Sequence, residues 1–588
     1  MKRLPLFLTC ALVLLPLVAE GAPRVTVFDD GVKLRGERER PLPKSPWPDG
    51  PVEQFALPGE TLGLELAIDT DEALSGLHVE IMFPKAPTLE AASFSQRFVH
   101  VRRPSGNDRE PGSLAFTKEA APPTDAFVGL LADALVPKPL DLERGARGAL
   151  WVDLHVPEST AAGAYDGELL VSSTSGIVAR RALRLEVGAS ALPYMAAKVS
   201  LFYDPATLDK RMGSRAAEPS LRRLFHEHHL SAFAERRTPD AIDLDLEALR
   251  GDLYRPPAYR GPGAGVGEGV FAIGAYGSLG EPSPAGLKVV EQFVDRIEKA
   301  GALASTTVFL YAVDENCKSP RPGQWRALLA GSPARPHVKI GATCFESPLR
   351  QAAELTMLPA ASYDSFAADA ARAQGKLVWA YNGLRPHAGP LMLDVPATDL
   401  RANAWISERY RVERWFYWES TYVLDQNRGG QGGVAGWDPY VVAETFHNED
   451  GDHAMGDGNL VYPGKQLHGM TSFNEDAFYP SVRLKNLRRG VLDAGYIHLA
   501  KERDPLRTDA LVRRMVPGAL REVQRAPAAW SSDADEWRKA RRELFEIIRG
   551  PKAAPPNERF GPSPAGWATA VTAFVALAAL GLRGRKRS

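Results

Sequence analysis

The spacing of apolar residues divides this chain of 588 residues into two regions with different periods. Between residues 22 and 188, short segments alternate apolar and polar positions and are separated by Pro and Gly turns, without an intervening helical period. LGLELAI at 62–68 and GALWVDLHV at 148–156 are examples. Because this pattern is typical of two packed antiparallel sheets, we predict an all-β sandwich domain over residues 23–192.

From residue 198 onward, β-branched and aromatic runs alternate with segments of helical period, which indicates parallel strands joined by helices. Eight such runs occur, at 199–204, 230–233, 270–276, 306–313, 337–344, 355–360, 376–381 and 414–418. Eight strand–helix units in about 220 residues predict a (β/α)8 barrel of the TIM type. The predicted fold class is therefore α/β, with a barrel and a helical extension over 193–525 that follow the β-sandwich.

The fourth run, TTVFLYAVDE at 306–315, ends on two adjacent acids, Asp314 and Glu315. The carboxyl ends of the strands of a parallel barrel carry its active site. Two neighbouring carboxyl groups can divide labour, one protonating a leaving group while the other stabilises positive charge. Taken alone, the segment is also compatible with a strand that leads into an acidic, solvated turn.

Aromatic residues concentrate at the ends of the last two predicted strands and in the loop that follows them. Aromatic rings can pack against the C–H faces of a sugar ring, while Tyr, Asn and acid groups bind its hydroxyls. Packing in the core is the ordinary role of strand aromatics, although the end of the eighth strand is where a barrel binds its ligand. The candidate substrate-binding residues are Tyr381, Asn382, Trp418, Glu419 and Trp437.

Both ends of the chain carry targeting patterns. Residues 1–22 combine a basic start, an apolar core and small residues, which is the layout of a secretory signal peptide. Residues 563–588 hold an uncharged apolar run followed by RGRKR, which predicts a transmembrane or sorting segment; a buried terminal helix is the alternative. A C-terminal helix and stalk over 526–562 precede it. We expect an exported protein of the cell envelope or surface that contacts the membrane through the C-terminal segment.

Charge and motif spacing exclude other classes of function. The formal net charge of −1 gives no general attraction for nucleic acid. HEHH at 226–229 lacks the second His of a zincin helix, and we interpret these residues as surface or strand-end histidines.

Cys317 and Cys344 lie at the ends of strands predicted to be neighbours. In an oxidising compartment they could form a disulfide close to Asp314; two separate thiols are equally compatible with the sequence.

Several motifs together resemble glycoside hydrolase family 123, over roughly residues 145–500. AGALASTTVFLYAVDE at 300–315 resembles the segment that carries the catalytic pair of that family. The C-terminal half of the family is similar to RWFYWES at 414–420, WDP at 437–439, GDGNLVYPG at 456–464 and SVRLKNLRRGVLD at 481–493. The end of its β-sandwich is similar to WVDLHVP at 151–157 and AGAYDG at 162–167.

The resemblance implies retaining hydrolysis of terminal 2-acetamido sugars of the N-acetylgalactosamine type, in which the acetamido oxygen of the substrate attacks the anomeric carbon. It implies that Glu315 is the general acid and then the general base. It implies that Asp314 holds the acetamide N–H and stabilises the intermediate. The partner would be a glycolipid or glycoprotein oligosaccharide, with no metal or organic cofactor. A surface-anchored carbohydrate-binding protein without catalysis, and a glycosidase for a sugar lacking the acetamido group, are the alternatives.

The chain departs from the family pattern at two places. Asn316 follows the acid pair where the family usually has Pro, which could alter the loop around the acid. Residues 493–496 read DAGY where an Asp-Tyr-Glu-Tyr-like run is usual. A Gly weakens a helix, so we expect the second change to affect helix packing more than chemistry.

Overall fold

A computed structural model of the protein describes residues 22–550, apart from 49, 87, 111, 116–126, 423–437, 468–470 and 524–529. The predicted signal peptide, except for its last residue, lies outside the described residues. The predicted segment 563–588 and the candidate Trp437 also lie outside them. Within the described part of the chain, no helix is both long enough and apolar enough to cross a membrane.

The N-terminal strands form two five-stranded sheets, here called the sheet pair. The sheet orders are β1-β3-β9-β5-β7 and β2-β11-β10-β4-β8, and all neighbours are antiparallel except β2 and β11. The strands are β1 Arg24–Asp29, β2 Val52–Ala56, β3 Thr61–Asp69, β4 Leu74–Met82, β5 Glu90–Val101, β6 Gly106–Asn107 (outside the pair), β7 Gly129–Val136, β8 Leu140–Leu142, β9 Arg147–His155, β10 Gly163–Ser173 and β11 Gly176–Val187. Every second residue of β3, from Leu62 to Ile68, enters the apolar core that the two sheets share.

Each of the eight runs predicted as barrel strands coincides with a strand of one parallel sheet. The strands are β12 Val199–Tyr203, β13 Ser231–Ala234, β14 Val270–Ile273, β15 Thr307–Val313, β16 Val338–Thr343, β17 Leu355–Pro359, β18 Leu377–Tyr381 and β19 Trp415–Tyr417. Their order is β13-β12-β19-β18-β17-β16-β15-β14. Because the two edge strands, β13 and β14, are consecutive in the chain, the sheet is a nearly closed barrel.

Helices occupy most of the connections between these strands. They are α1 Pro205–Met212, α2 Glu218–Glu227, α3 Asp243–Arg250, α4 Pro284–Lys299, α5 Arg321–Leu329, α6 Ser365–Arg372 and α7 Ala397–Tyr410. The connection from β16 to β17 differs, since it holds only the 3-10 turn Pro348–Arg350. After β19 come α8 Val482–Arg503, α9 Pro505–Met515 and α10 Ala534–Arg549. The short strands β20 Glu444–His447, β21 Asp452–Met455, β22 Val461–Pro463 and β23 Phe478–Pro480 precede α8, and β21 pairs with β6.

Side chains alternate between the inside and the outside of the barrel, as the period of a strand requires. Phe202, Phe309, Trp379 and Phe416 belong to one cluster that fills the interior. Trp415, next to Phe416, belongs instead to the cluster that the outer helices cover. Trp379 and Trp415 therefore have the ordinary packing role of strand aromatics.

Helix α8 carries buried charges that meet acids of the sheet pair. Lys485 Nζ and Arg488 Nη2 each lie 2.6 Å from a carboxylate oxygen of Asp153 on β9. Burial alone would raise the pKa of Asp153, but the charges of Arg488 and Lys485 outweigh it and hold the pKa well below its ordinary range. Because an unpaired charge is costly in a protein interior, these ion pairs fix the position of α8 on the sheet pair.

We expect Asp153→Ala to lower stability by about 3–5 kcal/mol, since Lys485 and Arg488 would stay buried without the carboxylate that pairs with both. The midpoint of urea unfolding measures this loss. The matched control is Asp166→Ala, which removes a pair with Arg184 in which the Asp166 side chain is 84% exposed. That change should cost less than about 0.5 kcal/mol. Equal shifts for the two variants would contradict the assigned role of Asp153.

Of the two interpretations of residues 226–229, as surface or strand-end histidines, the surface interpretation is wrong, because the end of α2 and the residues before β13 pack into the molecule. His226 and His228 are fully buried, and His229 is 2% exposed. The His226 ring stacks on Tyr254 with centroids 3.6 Å apart. Burial lowers the pKa of His226 to about 4 and, with smaller contributions from nearby positive charges, that of His229 to about 3. Both side chains are therefore neutral in the folded protein at neutral pH.

The lowered pKa values of these histidines predict that the protein loses stability as the pH falls below about 6.5, the ordinary pKa of His. Below that pH the unfolded chain binds protons that the folded protein does not. The loss should reach roughly 2 kcal/mol for His226 near pH 5, and it should be absent above pH 7. Thermal midpoints measured between about pH 7.5 and 5 test this. His226→Phe, which keeps a ring against Tyr254, should show a smaller decline with pH; an unchanged decline would refute the assignment.

Candidate active site

The carboxyl ends of the barrel strands open into a cavity of about 660 Å³. Residues at or after the ends of seven of the eight strands line it, among them Asp204, Glu235, Tyr276, Tyr311, Asp314, Glu315, Thr343, Tyr381, Asn382, Phe416, Trp418 and Glu419. The cavity thus brings together every predicted site residue that lies in the described part of the chain. Tyr422, Phe446 and Asp457 complete the wall from the long segment after β19.

One hydroxyl group holds both acids that follow β15. Thr343, the last residue of the neighbouring strand β16, donates through Oγ1 to Asp314 Oδ1 at 2.7 Å. The same oxygen accepts the backbone N–H of Glu315 at 2.6 Å. From inside the barrel, Tyr311 donates its hydroxyl to Asp314 Oδ1 at 2.8 Å. The position of the acid pair is therefore set by the alignment of β15 with β16.

Glu315 adopts a backbone conformation that few residues other than Gly adopt, with φ of 47°. Asn382, after β18, has φ of 42°. Such strain costs of the order of 1–3 kcal/mol and persists where the surroundings fix it, which is common in functional sites. Tyr381 donates its hydroxyl to Glu315 Oε1 at 2.7 Å. Burial and this bond raise the pKa of Tyr381 above its ordinary range, so its hydroxyl remains a donor.

Cys317 and Cys344 form a disulfide, which the sequence left open. It joins the loop after the acid pair to the residue that follows β16, so the loop is fixed both by Thr343 and by the disulfide. Between the acids and the disulfide, Asn316 accepts the Lys318 N–H through Oδ1 at 3.2 Å. The residue that departs from the family pattern thus closes a local turn within a fixed loop.

The aromatic wall of the cavity centres on Trp418. Its indole N–H donates to Asp457 Oδ1 at 3.2 Å, and Tyr417 donates its hydroxyl to the same oxygen at 2.6 Å. The Trp418 ring lies against Tyr422 and Phe446, with centroids at 5.1 Å and 5.8 Å. Asp457 therefore fixes the orientation of the indole ring.

Glu419 belongs to a second group of acids in the cavity. Its Oε1 accepts the N–H groups of Ser420 and Thr421, both at 2.7 Å, and the Thr421 hydroxyl at 2.9 Å. Burial nevertheless raises the pKa of Glu419 to about 7, and the charge of Asp204 adds to this increase. Burial also raises the pKa of Glu235 well above its ordinary range, as do the charges of Glu419 and Asp204.

Sequence reasoning missed several cavity residues, namely Asp204, Glu235, Tyr276, Tyr311, Thr343 and Asp457. Asp204, Glu235 and Thr343 stand at the end of a strand or directly after one, so a list of the polar residues at every predicted strand end would have found them. Asp457 comes from the long segment after β19, where spacing gives no such signal. The second departure from the family pattern, at residues 493–496, is not among the residues that line the cavity. It lies where α8 packs closely, since a Cβ at Gly495 would meet the Leu192 side chain at 2.9 Å.

No protein-family model and no curated protein matches this sequence. Among solved structures, a family 123 glycoside hydrolase from Clostridium perfringens, described in a study of glycolipid glycan hydrolysis, is similar with a TM-score of 0.56 and 12% identity. The match covers 95% of this chain and 100% of that chain. A family 39 glycoside hydrolase from Bacteroides cellulosilyticus WH2 reaches a TM-score of only 0.25, with 8% identity over 68% of this chain and 79% of that chain. The protein shares the fold of a family 123 glycoside hydrolase.

Proposed function

We propose that this protein is an exported, retaining glycoside hydrolase that cleaves terminal 2-acetamido sugars of the N-acetylgalactosamine type by substrate-assisted catalysis. The observation that carries the proposal is the fixed pair Asp314 and Glu315 in a cavity that also has an aromatic wall. We interpret the nearly closed sheet as a (β/α)8 barrel and the sheet pair as an all-β sandwich domain. The fold shared with a family 123 glycoside hydrolase supports a glycan as substrate.

Asp314 is suited to hold the acetamido group of the substrate. Among the described residues, both side-chain donors to Asp314 bind Oδ1, which leaves Oδ2 to accept the acetamide N–H. That bond turns the acetamide oxygen toward the anomeric carbon and gains strength as positive charge develops on the ring that forms. Because Thr343 and Tyr311 hold the carboxylate, little reorganisation is needed during the reaction.

Glu315 is suited to transfer the proton. Tyr381 donates to Oε1, so Oε2 can carry the proton that the glycosidic oxygen receives as its bond to the anomeric carbon breaks. The bond from Tyr381 then stabilises the carboxylate that remains. In the second step Glu315 takes a proton from water as the water oxygen attacks the anomeric carbon, and the acetamide oxygen leaves. Two displacements at one carbon give retention.

The remaining walls suit a sugar ring. The Trp418 ring, oriented by Asp457, offers an apolar face to the C–H groups of a pyranose. Asn382 Oδ1 is buried without a hydrogen-bond partner among the described residues and can accept a sugar hydroxyl. The disulfide of Cys317 and Cys344 supports an oxidising, exported compartment, where the segment 563–588 would attach the protein to the envelope or surface.

Glu315→Gln should lower kcat on an aryl 2-acetamido-galactoside by about 10²–10⁴, because the glutamine cannot donate or accept the proton. The loss should be greatest for poor leaving groups, which depend most on protonation. The matched control is Glu346→Gln, an exposed acid on the next loop, which should keep full activity. Full activity of the Glu315 variant would refute the proposed role.

The substrate class is tested on the wild type. A thiazoline mimic of the cyclised intermediate should inhibit, since only a substrate-assisted site favours that ring. Aryl glycosides without the acetamido group should not be cleaved. Their hydrolysis would instead indicate another glycosidase, and binding of 2-acetamido sugars without turnover would indicate a carbohydrate-binding protein.

Thr343→Val should lower kcat/KM by about 10- to 100-fold, because Asp314 loses a charge-assisted bond and the Glu315 N–H loses its acceptor. Thr343→Ser, which keeps the hydroxyl, should restore most of the activity. Steady-state kinetics on the same substrate measure both. Thr356→Val on β17 is the control, since no described residue forms a hydrogen bond with the buried Thr356 hydroxyl. If Thr343→Val behaves like this control, the two bonds do not position the acids.

A further inference from the structure

A second pair of carboxyl groups lies in the cavity, apart from the acids that follow β15. Glu235 follows β13 and Glu419 follows β19, and β12 lies between these two strands. Strand β19 is four places from β15 in the sheet order and so lies opposite it in an eight-stranded barrel, whereas β13 is two places from β15 across the edge where β13 and β14 meet. Both side chains line the cavity, and Glu235 and Glu419 are only 7% and 2% exposed. Glu419 raises the pKa of Glu235 through its charge and through a side-chain hydrogen bond.

The two members of this pair have different surroundings. Glu419 accepts three donors from the chain directly after it, as a carboxylate does. Among the described residues, no N–H or O–H group donates to the carboxyl group of Glu235, which is more than nine-tenths buried and faces the cavity. Two ionised carboxylates in contact repel each other strongly, so a single proton is held between them. Glu235, which has no donor of its own among the described residues, is the member suited to carry it.

We propose that Glu235 and Glu419 share one proton and together bind hydroxyl groups of the terminal sugar, as a specificity-determining element of the cavity distinct from the reacting acids. The proposal rests on the proposed glycosidase function. The oxygen of Glu235 that does not hold the proton is free to accept a sugar hydroxyl, and Glu419 Oε2 can do the same. Loss of the shared proton would place two charges in contact and disturb both acceptors.

Charged and titratable side chains surround the Glu235–Glu419 pair, and the shared proton sets the local charge among them. Asp204, from β12, adds negative charge at both members of the pair, and Arg236 opposes it at Glu235. Tyr276, from β14, stays neutral because burial and the nearby acids raise its pKa, and it donates to the Trp418 carbonyl. Buried Arg211, from α1, adds positive charge on the Glu419 side, and burial lowers its pKa to about 9.

Steady-state kinetics of the wild type and of Glu235→Gln, measured from about pH 6 to 8.5, test the proposal. For the wild type, KM should rise about tenfold over this range as the shared proton leaves, while kcat changes less. In Glu235→Gln the amide N–H donates to Glu419 at every pH, so KM should become independent of pH. Glu419→Ala should raise KM at least tenfold with kcat within about threefold.

Glu65→Gln is the matched control, because Glu65 is a fully buried acid with a raised pKa in the sheet pair, bonded to Gln96. It should leave the KM profile of the wild type unchanged. The proposal is overturned if KM of Glu235→Gln keeps the pH dependence of the wild type. It is also overturned if the Glu235 and Glu419 variants lose kcat while KM stays constant, since these residues would then act in the chemical step.

A measurement without substrate separates this inference from the proposed function. The infrared spectrum of the wild type at neutral pH, minus that of Glu235→Gln, should contain a protonated carboxyl band, and the band should disappear near pH 9. Absence of the band would overturn the shared proton even if the wild type hydrolyses glycosides. Failure of the wild type to bind or hydrolyse any sugar, with the band present, would overturn the proposed function and the binding role while leaving the proton assignment intact.

Discussion

The buried guanidinium of Arg483 connects the sheet pair to the wall of the cavity, and the position of that wall depends on it. Its Nη2 lies 2.9 Å from Asp133 on β7. The same group donates to the Asn459 carbonyl, and Nη1 donates to the Gly456 carbonyl, both at 2.6 Å. These two carbonyls flank Asp457, which orients the indole of Trp418. A buried cation needs every donor satisfied, so this set of partners tolerates little displacement.

The dependence on Arg483 explains why glycine precedes Asp457. A Cβ at Gly456 would lie 2.7 Å from Arg483 Nη1, and φ of 75° disfavours other residues there. The motif at 456–464 thus packs around the charge of Arg483, while its single acid, Asp457, lines the cavity. The side of the cavity that carries Asp314 and Glu315 is fixed differently, by Thr343 and by the disulfide of Cys317 and Cys344. One half of the site therefore depends on contacts with the sheet pair, and the other half on local strand register.

The sequence predicts the parts of this arrangement that a local period reveals. Eight short apolar runs and an acid pair at a strand end are visible without knowing which strands are neighbours. Thr343 is an ordinary strand residue until β15 and β16 are placed side by side. Glu235 follows a strand of only four residues, which gives a weak signal. The polar run at 226–229 suggests exposed side chains, but Tyr194 and Tyr254 cover the rings of His226 and His229 from other parts of the chain.

Four carboxyl groups of the cavity form two pairs, and the pairs differ in the groups that donate hydrogen bonds to them. Asp314 and Glu315 are adjacent in sequence, yet each has a hydroxyl donor of its own, from Thr343 and Tyr381, so one can change its protonation while the other keeps its partner. Glu235 and Glu419 are bonded to each other, so their protonation is shared. A proton that moves through Glu315 during a reaction then need not pass through the second pair. Because the two pairs have separate hydrogen-bond partners, one can hold a sugar while the other alters its charge.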